Sequence, residues 1–305
     1  MKRVEPAYFA GFRCIAAACR HNCCVGWEID IDPAALARSQ SCPGAFGERL
    51  RRCIAEDGGT ASFRLTAEER CPFLNAQNLC DVILTLGEAA LCDICRLHPR
   101  FFNRLGNREE AGLGLACEEA ARLILTQTAP MRLVTVEDDD EALTPREAAL
   151  LDARDALLDA AQDRCLPVSV REDALLAMTG AALPPRALWR EMLAGLERMD
   201  PAWDAALARL DATPSSAPAA VPETMREQLL CCFVYRHAIT AEDPADLAAR
   251  TAFAVFGTRV VSVLSPDAAA FADLARAYSA EIEYSEENTA ALLDTLRAYC
   301  TGKDE

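Results

Sequence analysis

The distribution of cysteine constrains this chain more than any other feature of its sequence. The chain contains 15 cysteines, and eleven of them lie within the first 117 of its 305 residues. An odd number of cysteines cannot all pair in disulfides within one molecule. The opening residues, Met1-Lys2-Arg3-Val4-Glu5-Pro6, lead into no apolar stretch of the kind that a secretory signal contains. We therefore expect a cytoplasmic protein in a reducing compartment, where clustered thiols usually bind a metal ion or an iron–sulfur cluster.

Nine cysteines in four groups are the candidate metal ligands. A tetrahedral zinc ion or a 4Fe-4S cluster needs four thiolates that converge from two or more loops. Nine candidates could supply two such centres, or one centre with spare thiols, and the sequence does not choose between zinc and iron. Cys23 and Cys24 are adjacent in the sequence. Because neighbouring side chains usually diverge, we expect only one of these two thiols to bind a given centre. The four groups are Cys14, Cys19, Cys23 and Cys24; Cys71 and Cys80; Cys92 and Cys95; and Cys117.

The remaining cysteines fit packing roles better. Cys42 and Cys53 have no closely spaced cysteine partner, and Cys165, Cys231 and Cys300 lie in helical patterns, where a small apolar residue is common. His21 and His98 flank cysteines and could be mixed ligands, although a polar side chain beside a metal loop is the more common role.

The net charge of −16 is spread unevenly along the chain. Basic and acidic residues nearly balance over residues 1–125, whereas residues 126–305 carry almost all of the excess negative charge. Because a nucleic-acid backbone would be repelled, we expect no nucleic-acid partner. We also find no apolar run near the roughly 20 residues of a membrane helix, and expect no membrane association.

This division predicts a mainly α-helical fold in two parts. A Cys-rich metal or iron–sulfur module of short, irregular elements is expected over residues 1–125, and an acidic, all-helical domain over residues 126–305. In the first part, Asp57-Gly58-Gly59 predicts a turn before an extended segment. In the second, Thr144-Pro145-Arg146-Glu147 and Ser169-Val170-Arg171-Glu172 have the pattern of capping boxes. Further helix N-caps are expected at Asp243, Ser265 and Ser285.

Several strings of residues resemble the flagellin lysine-N-methylase family. The first string also resembles a broader family of small Cys-rich proteins described as zinc- or iron-chelating. The resemblance covers most of the chain, and residues 130–220 are its least distinctive part. The strings are Pro6 to Asp32; Cys71-Pro72-Phe73-Leu74-Asn75 with Leu79-Cys80-Asp81; Cys95-Arg96 with Pro99-Arg100; Cys117 with Ala120 and Arg122-Leu123; Arg226 to His237; and Tyr278 to Asn288.

This resemblance implies the transfer of a methyl group from S-adenosylmethionine to lysine side chains of flagellin, which becomes the expected protein partner. It also implies an iron–sulfur centre, and the residues that carry over to it are Cys19, Cys23, Cys24, Cys71, Cys80, Cys95 and Cys117, with Cys14 and Cys92 as further candidates. The alternative is a non-catalytic zinc- or iron-binding protein, either a metal-stapled scaffold or a redox or metal carrier.

The resemblance assigns no catalytic residue and no methyl-donor pocket. Arg96 and Arg100 follow a candidate ligand and could bind the carboxylate of the donor, or could simply neutralise a charged cluster. Because the sulfonium donor is a cation, carboxylates and aromatic faces suit it as well. Further candidates of these types are Glu281, Glu283, Tyr284 and Tyr8.

Overall fold

The computed structural model describes residues 1–139, 142–210 and 221–302. Helices make up 57% of it, in thirteen α-helices with a small sheet region, so the mainly α-helical fold class is confirmed. The chain separates into two compact units. The small unit is residues 13–100. The large unit joins residues 1–12, which contain strand β1 (Lys2–Pro6), to the chain from Phe101 onward.

The small unit is built from short elements around one buried ring. Phe73 is fully buried and packs edge-on against Phe63, with ring centroids 5.0 Å apart. Gly58 and Gly59 both have positive φ angles, which a two-residue hairpin turn requires, so the predicted turn is confirmed. The elements are α1 (Pro33–Ser41), α2 (Gly44–Cys53), β2 (Ile54–Asp57), β3 (Thr60–Phe63), α3 (Asp81–Leu86) and α4 (Asp93–Leu97).

The large unit begins with a four-stranded sheet whose order is β4 (Arg100–Leu105), β5 (Arg108–Leu113), β1 and β6 (Leu133–Glu137). Strand β1 pairs in parallel with β5 and antiparallel with β6, so residues far apart in sequence share one sheet. The prediction of an all-helical region over residues 126–305 is wrong for β6, because its apolar residues pair with β1 rather than form a helix face.

Helices complete the large unit and bury most of its apolar residues. Helix α11 is its central element and is 21 residues long. By length and composition it could cross a membrane, since an 18-residue stretch of it has a mean hydropathy of 1.4. However, 83% of that stretch is buried inside the protein. The helices are α5 (Glu118–Leu125), α6 (Pro145–Ala161), α7 (Val168–Thr179), α8 (Trp189–Ala194), α9 (Trp203–Leu210), α10 (Glu223–His237), α11 (Pro244–Leu264), α12 (Ala268–Tyr278) and α13 (Glu286–Thr301), with a π-helix over Ser279–Glu283 between the last two.

The helix caps confirm three of the five N-cap predictions. The Thr144 hydroxyl and the Glu147 carboxylate form a complete capping box at the start of α6. Asp243 and Ser285 also accept hydrogen bonds from the backbone as N-caps. The predictions at Ser169 and Ser265 are wrong. Helix α7 already begins at Val168, with Pro167 before it, and Ser265 ends α11 while Asp267 caps the next helix.

Candidate functional site

Six of the nine candidate thiols come close together within the small unit. The backbone N–H of Cys71 donates to the carbonyl of Cys24 at 2.8 Å, which joins the first cysteine loop to the second. Leu74 and Cys80 form a further backbone bridge. Cys95 lies within the electrostatic influence of both Cys24 and Cys71. The structure therefore brings Cys23 and Cys24 of the first predicted group near the second and third groups in residues 13–100.

Two pairs of thiols carry hydrogen bonds between their own sulfur atoms. Within the pair Cys23 and Cys24, the hydrogen bond lowers the pKa of Cys23 to about 7 and raises the pKa of Cys24. Cys92 and Cys95 repeat this arrangement across the start of α4, where the hydrogen bond lowers the pKa of Cys92 to about 7 and raises that of Cys95. Each pair thus holds one thiol that is partly ionised at neutral pH, and the thiolate is the form that binds metals.

Burial shifts the pKa values of Cys71 and His98, which lie beside these pairs. Cys71 is buried, and desolvation raises the pKa of its thiol to about 11. His98 follows α4, and desolvation lowers the pKa of its imidazole to about 4. His98 is therefore neutral at physiological pH, which is the form of histidine able to act as a ligand.

Three short polar side chains fold the cysteine loops. The Asn22 side chain accepts from the backbone N–H of Cys24 at 2.9 Å. Asn75 accepts from the N–H groups of Gln77 and Leu79, which closes the turn between the second pair of cysteines. Asp32 caps α1 and also accepts from the N–H of Asp93 at 2.8 Å. No role was predicted for these three residues, although asparagine and aspartate beside loop cysteines are typical of turns.

A partly buried ion pair between Arg49 and Asp81 fixes the loop that contains Cys71 and Cys80 to helix α2. Arg49 donates to the Asp81 carboxylate at 2.7 Å and to the carbonyl of Pro72 at 2.6 Å. Asn75 donates to the other oxygen of Asp81 at 3.0 Å. The hydrogen bond from Arg49 is the main cause that lowers the pKa of Asp81. Because these contacts hold the residues next to Cys71 and Cys80, they position two candidate ligands.

The structure places the other predicted site residues differently. The sulfur of Cys14 accepts from the N–H of Ala16, and the Cys19 thiol donates to the carbonyl of His21 within the same loop. Cys117 belongs to the large unit, where it precedes α5. Arg96 is half-exposed and forms an ion pair with Asp93 at 2.7 Å, and Arg100 is the first residue of β4.

No ready metal-binding arrangement is found in the part of the chain that the structure describes. No group of three or more His, Cys, Asp or Glu side chains there has the geometry to hold a metal ion. The six thiols are near enough to interact electrostatically, yet they do not converge on one point. The donor chemistry fits a thiolate-ligated centre, and metal binding stays a prediction.

A second candidate site is an ionic cluster in the large unit. His237 lies 2.7 Å from Glu283, and the guanidinium of Arg236 lies 3.4 Å from the same carboxylate oxygen. Burial would raise the pKa of Glu283, but Arg236 and His237 outweigh it and lower that pKa. The guanidinium also lies 5.2 Å from the ring centre of Tyr284, and Cys117 lies near enough to the Tyr284 phenol to interact with it electrostatically. Mainly through burial, the pKa of Tyr284 is raised to about 12.

The remaining two carboxylate and aromatic candidates have structural partners. Glu281 accepts from Arg198 at 2.6 Å and from the backbone N–H groups of Met199 and Asp200. Tyr8 packs against the main hydrophobic core, and burial raises its pKa well above the ordinary value. Glu283 and Tyr284 are therefore the members of this set that lie together in a charged site.

Comparison with known proteins identifies the family. The chain is 32% identical over 139 residues to the flagellar biosynthetic protein FliU of Salmonella muenchen, and the match covers 80% of that protein. This chain belongs to the flagellin lysine-N-methylase family. Proteins named lysine-N-methylase from Salmonella typhimurium and Salmonella choleraesuis match at the same identity over 42% of this chain. The chain spans about a third of the length of these two relatives, since 34% of each is covered.

The comparison confirms the family that the sequence strings indicated. No protein-family model matches the chain. No solved structure matches it either.

Proposed function

We propose that this protein transfers methyl groups from S-adenosylmethionine to lysine side chains of flagellin. The observation that carries the proposal is the match to relatives named lysine-N-methylase and FliU. At a coarse level these names support a methyltransferase that acts on protein lysines. The methyl donor, the choice of flagellin as substrate and the cytoplasmic location complete the proposal, since flagellin would have to be modified before its export.

The chemistry of the reaction requires a neutral lysine amine beside a cationic methyl donor. A lysine side chain has a pKa near 10.4, and its nitrogen must lose a proton before it can attack a methyl carbon. Glu283 is an ionised carboxylate that can hold the cationic sulfonium of the donor, and Tyr284 keeps its proton at neutral pH and can donate a hydrogen bond to the donor. The lysine loses its proton to solvent before its nitrogen attacks the methyl carbon. We propose that these two side chains bind the methyl donor.

A metal centre in the small unit is the second part of the proposal. The residues that would hold it are Cys23, Cys24, Cys71, Cys80, Cys92 and Cys95, because they approach one another within residues 13–100. An iron–sulfur cluster of the 4Fe-4S type is proposed, with zinc as the alternative, since four thiolates suit either. Such a centre would tie the three cysteine loops together.

Purification without oxygen tests the metal centre. A brown protein that contains about four iron atoms per chain would support the cluster, and a colourless protein that contains zinc would contradict it. Cys24→Ser should lower the metal content sharply. The matched control is Cys53→Ser in the same unit, which should retain the metal because Cys53 is not one of the six thiols that approach one another.

A labelled-methyl assay with flagellin tests the enzymatic function. Metal-loaded protein should transfer label from S-adenosylmethionine to flagellin lysines, and Tyr284→Phe should reduce the rate at least tenfold. Tyr299→Phe on α13 is the control and should leave the rate unchanged. No transfer by metal-loaded protein would contradict the methylase proposal.

The alternative function is a non-catalytic zinc- or iron-binding protein. It is favoured by the small hydrophobic core of residues 13–100, which a structural metal could stabilise. The two functions separate in the same assay, because a scaffold or carrier would contain metal and still transfer no label.

A further inference from the structure

One edge of the four-stranded sheet is exposed in the large unit. Strand β6 ends the strand order, and among the described strands it pairs with β1 alone. The opposite edge, β4, is held against α10, because the Asn103 side chain donates to the carbonyl of Arg236 at 2.8 Å. The last three residues of β6 are exposed instead, and Val136 among them is 48% exposed. The outer edge of β6 is therefore accessible to another chain.

The hydrogen-bond pattern shows which backbone groups of β6 point outward. The N–H of Ala7 donates to the carbonyl of Arg132 at 2.8 Å, and the antiparallel register then continues without a shift through Thr135. Since alternate residues of an antiparallel strand bond to the same neighbour, the N–H and C=O groups of Leu133 and Thr135 point away from β1. A row of such groups is a template for one more strand.

A β-bulge limits the length of this template. Two successive residues of β1 lie opposite Thr135 and Glu137, so Val136 is an extra residue in β6. Bulges protect edge strands against long, unspecific pairing. The edge thus offers two backbone donors and two acceptors, with the exposed side chain of Val136 beside them.

The charges at this edge favour a basic partner. Glu137 and Asp138 are exposed at the end of β6. Nearby, the guanidinium of Arg3 lies 4.0 Å from Glu5, and the N-terminal amine binds another carboxylate at 2.6 Å. Lys2 is the other cation on β1, so the two exposed carboxylates outnumber it. A cationic side chain fits this end of the edge.

The charge of the whole chain favours a basic peptide over a second copy of this chain. Two copies could pair through β6 in antiparallel fashion, with the exposed Arg132 of one copy near the acidic end of the other. Each copy carries a net charge of −16, however, and most of it belongs to residues 126–305, which include β6. This charge repels a second copy and attracts a basic segment.

We propose that the outer edge of β6 binds an extended, lysine-bearing segment of the protein substrate as an added strand. Main-chain hydrogen bonds to Leu133 and Thr135 supply the affinity, and a lysine beside Glu137 and Asp138 sets the register. The identification of this partner as a substrate rests on the proposed methylase function.

The paired segment anchors the substrate and does not itself react. Gly114 follows β5, and a side chain there would collide with the phenol oxygen of Tyr284. Because β1 lies between β5 and β6, a strand added outside β6 lies about 14 Å from β5. Strand β1 is parallel to β5 and antiparallel to β6, so the Leu133 end of β6 lies on the side of Gly114. The reacting lysine therefore lies beyond that end of the paired segment.

Fluorescence polarisation with full-length protein tests the strand pairing. The probe is a fluorescein-labelled peptide of alternating valine and threonine with two lysines at each end. Its binding should weaken at least tenfold in Thr135→Pro, because proline removes the outward N–H and is tolerated on edge strands. Thr135→Ala keeps that N–H and is the matched control, which should bind like the unmodified protein. The same peptide with N-methylated backbone nitrogens should also bind at least tenfold more weakly.

Removal of charge tests the acidic end. The double variant Glu137→Gln, Asp138→Asn should bind the lysine peptide at least fivefold more weakly. Glu286→Gln with Glu287→Gln removes the same charge from the exposed start of α13 and should leave binding unchanged. Equal losses in the two double variants, or equal binding of a peptide with glutamates in place of the lysines, overturn the choice of a basic partner.

Three results overturn the strand pairing. These are equal binding by Thr135→Pro and Thr135→Ala, equal binding of the parent and N-methylated peptides, and a dimer of the unmodified protein that Thr135→Pro converts to a monomer in sedimentation. The last result would assign the edge to a second copy of this chain. The N-methylated peptide keeps the test decisive even where Thr135→Pro does not fold.

Label transfer to flagellin separates this surface from the proposed function. Thr135→Pro should raise the KM for flagellin at least tenfold and leave kcat unchanged. An unchanged KM with active label transfer overturns the surface alone. Peptide binding as expected, without any label transfer by the unmodified protein, contradicts the methylase function and leaves the peptide-binding edge in place.

Discussion

His237 makes the stability of the large unit dependent on pH. Burial is the main cause that lowers its pKa below the ordinary value of 6.5, despite the neighbouring Glu283. The unfolded chain therefore takes up a proton first, and stability should fall as the pH drops below about 6.5. In His237→Gln, the melting temperature should vary less between pH 7 and pH 5. His21→Gln, at an exposed position, should keep the original slope, and equal slopes in all three proteins would contradict the prediction.

Arg154 is a buried charge whose contribution to stability depends on its ion pair with Glu110. Its side chain is fully buried, and it donates to both oxygens of Glu110 at 2.6 and 2.7 Å. Arg154→Met should lower the free energy of unfolding by about 3 kcal/mol, because Glu110 loses two hydrogen bonds in the interior and keeps Arg108 as its charged partner. The control is Arg122→Met, whose arginine is 59% exposed in its pair with Glu119 and should cost less than about 1 kcal/mol. Urea unfolding of both variants measures the difference, and equal losses would contradict it.

At the scale of elements, two similar sequence signals have different meanings. Thr144 accepts from the backbone N–H of Glu147 as an N-cap, whereas Ser169 lies inside α7. Thr144→Ala should therefore destabilise the protein by about 1 kcal/mol. Ser169→Ala should change stability by less than about 0.5 kcal/mol. Thermal unfolding compares the two, and a larger loss at Ser169 would show that the helix begins later than described.

Turns and helix ends show how far the sequence predicts these elements. Local signals identified the hairpin at Gly58–Gly59 and the caps at Thr144, Asp243 and Ser285. The local signals failed at Ser169 because α7 begins one residue earlier, directly after its N-cap Pro167. The serine itself does not reveal where the helix begins. Strand β6 was missed because its pairing with β1 joins residues about 130 positions apart.

The candidate site was predictable in its residue types and not in its geometry. Spacing identified the thiols of Cys71, Cys80 and Cys92, which the structure gathers in one unit. It could not show that Asn22 and Asp32 fold those loops, since both contacts depend on where the backbone N–H groups point. It also could not show the cluster at Glu283, which assembles side chains from α10 and the π-helix.

At the scale of the whole molecule, the two units differ in what can stabilise them. The core of residues 13–100 contains nine buried residues, whereas the large unit buries an extensive cluster around α10 and α11. Small cores usually need a metal or another cross-link in addition to apolar burial. The proposed metal should therefore contribute much of the folding free energy of residues 13–100 and little of that of the helices beyond.

Removal of the metal should then unfold one unit before the other. Hydrogen exchange measured by mass spectrometry on full-length protein, before and after chelation, should show at least a tenfold loss of protection in peptides from residues 13–100. Peptides from α10 and α11 should keep their protection, because their buried residues belong to the core of the large unit. Cys24→Ser should reproduce the chelated pattern, and Cys231→Ser, a packing position in α10, should not. Unchanged exchange in residues 13–100 after complete metal loss would show that this unit folds on its small core alone.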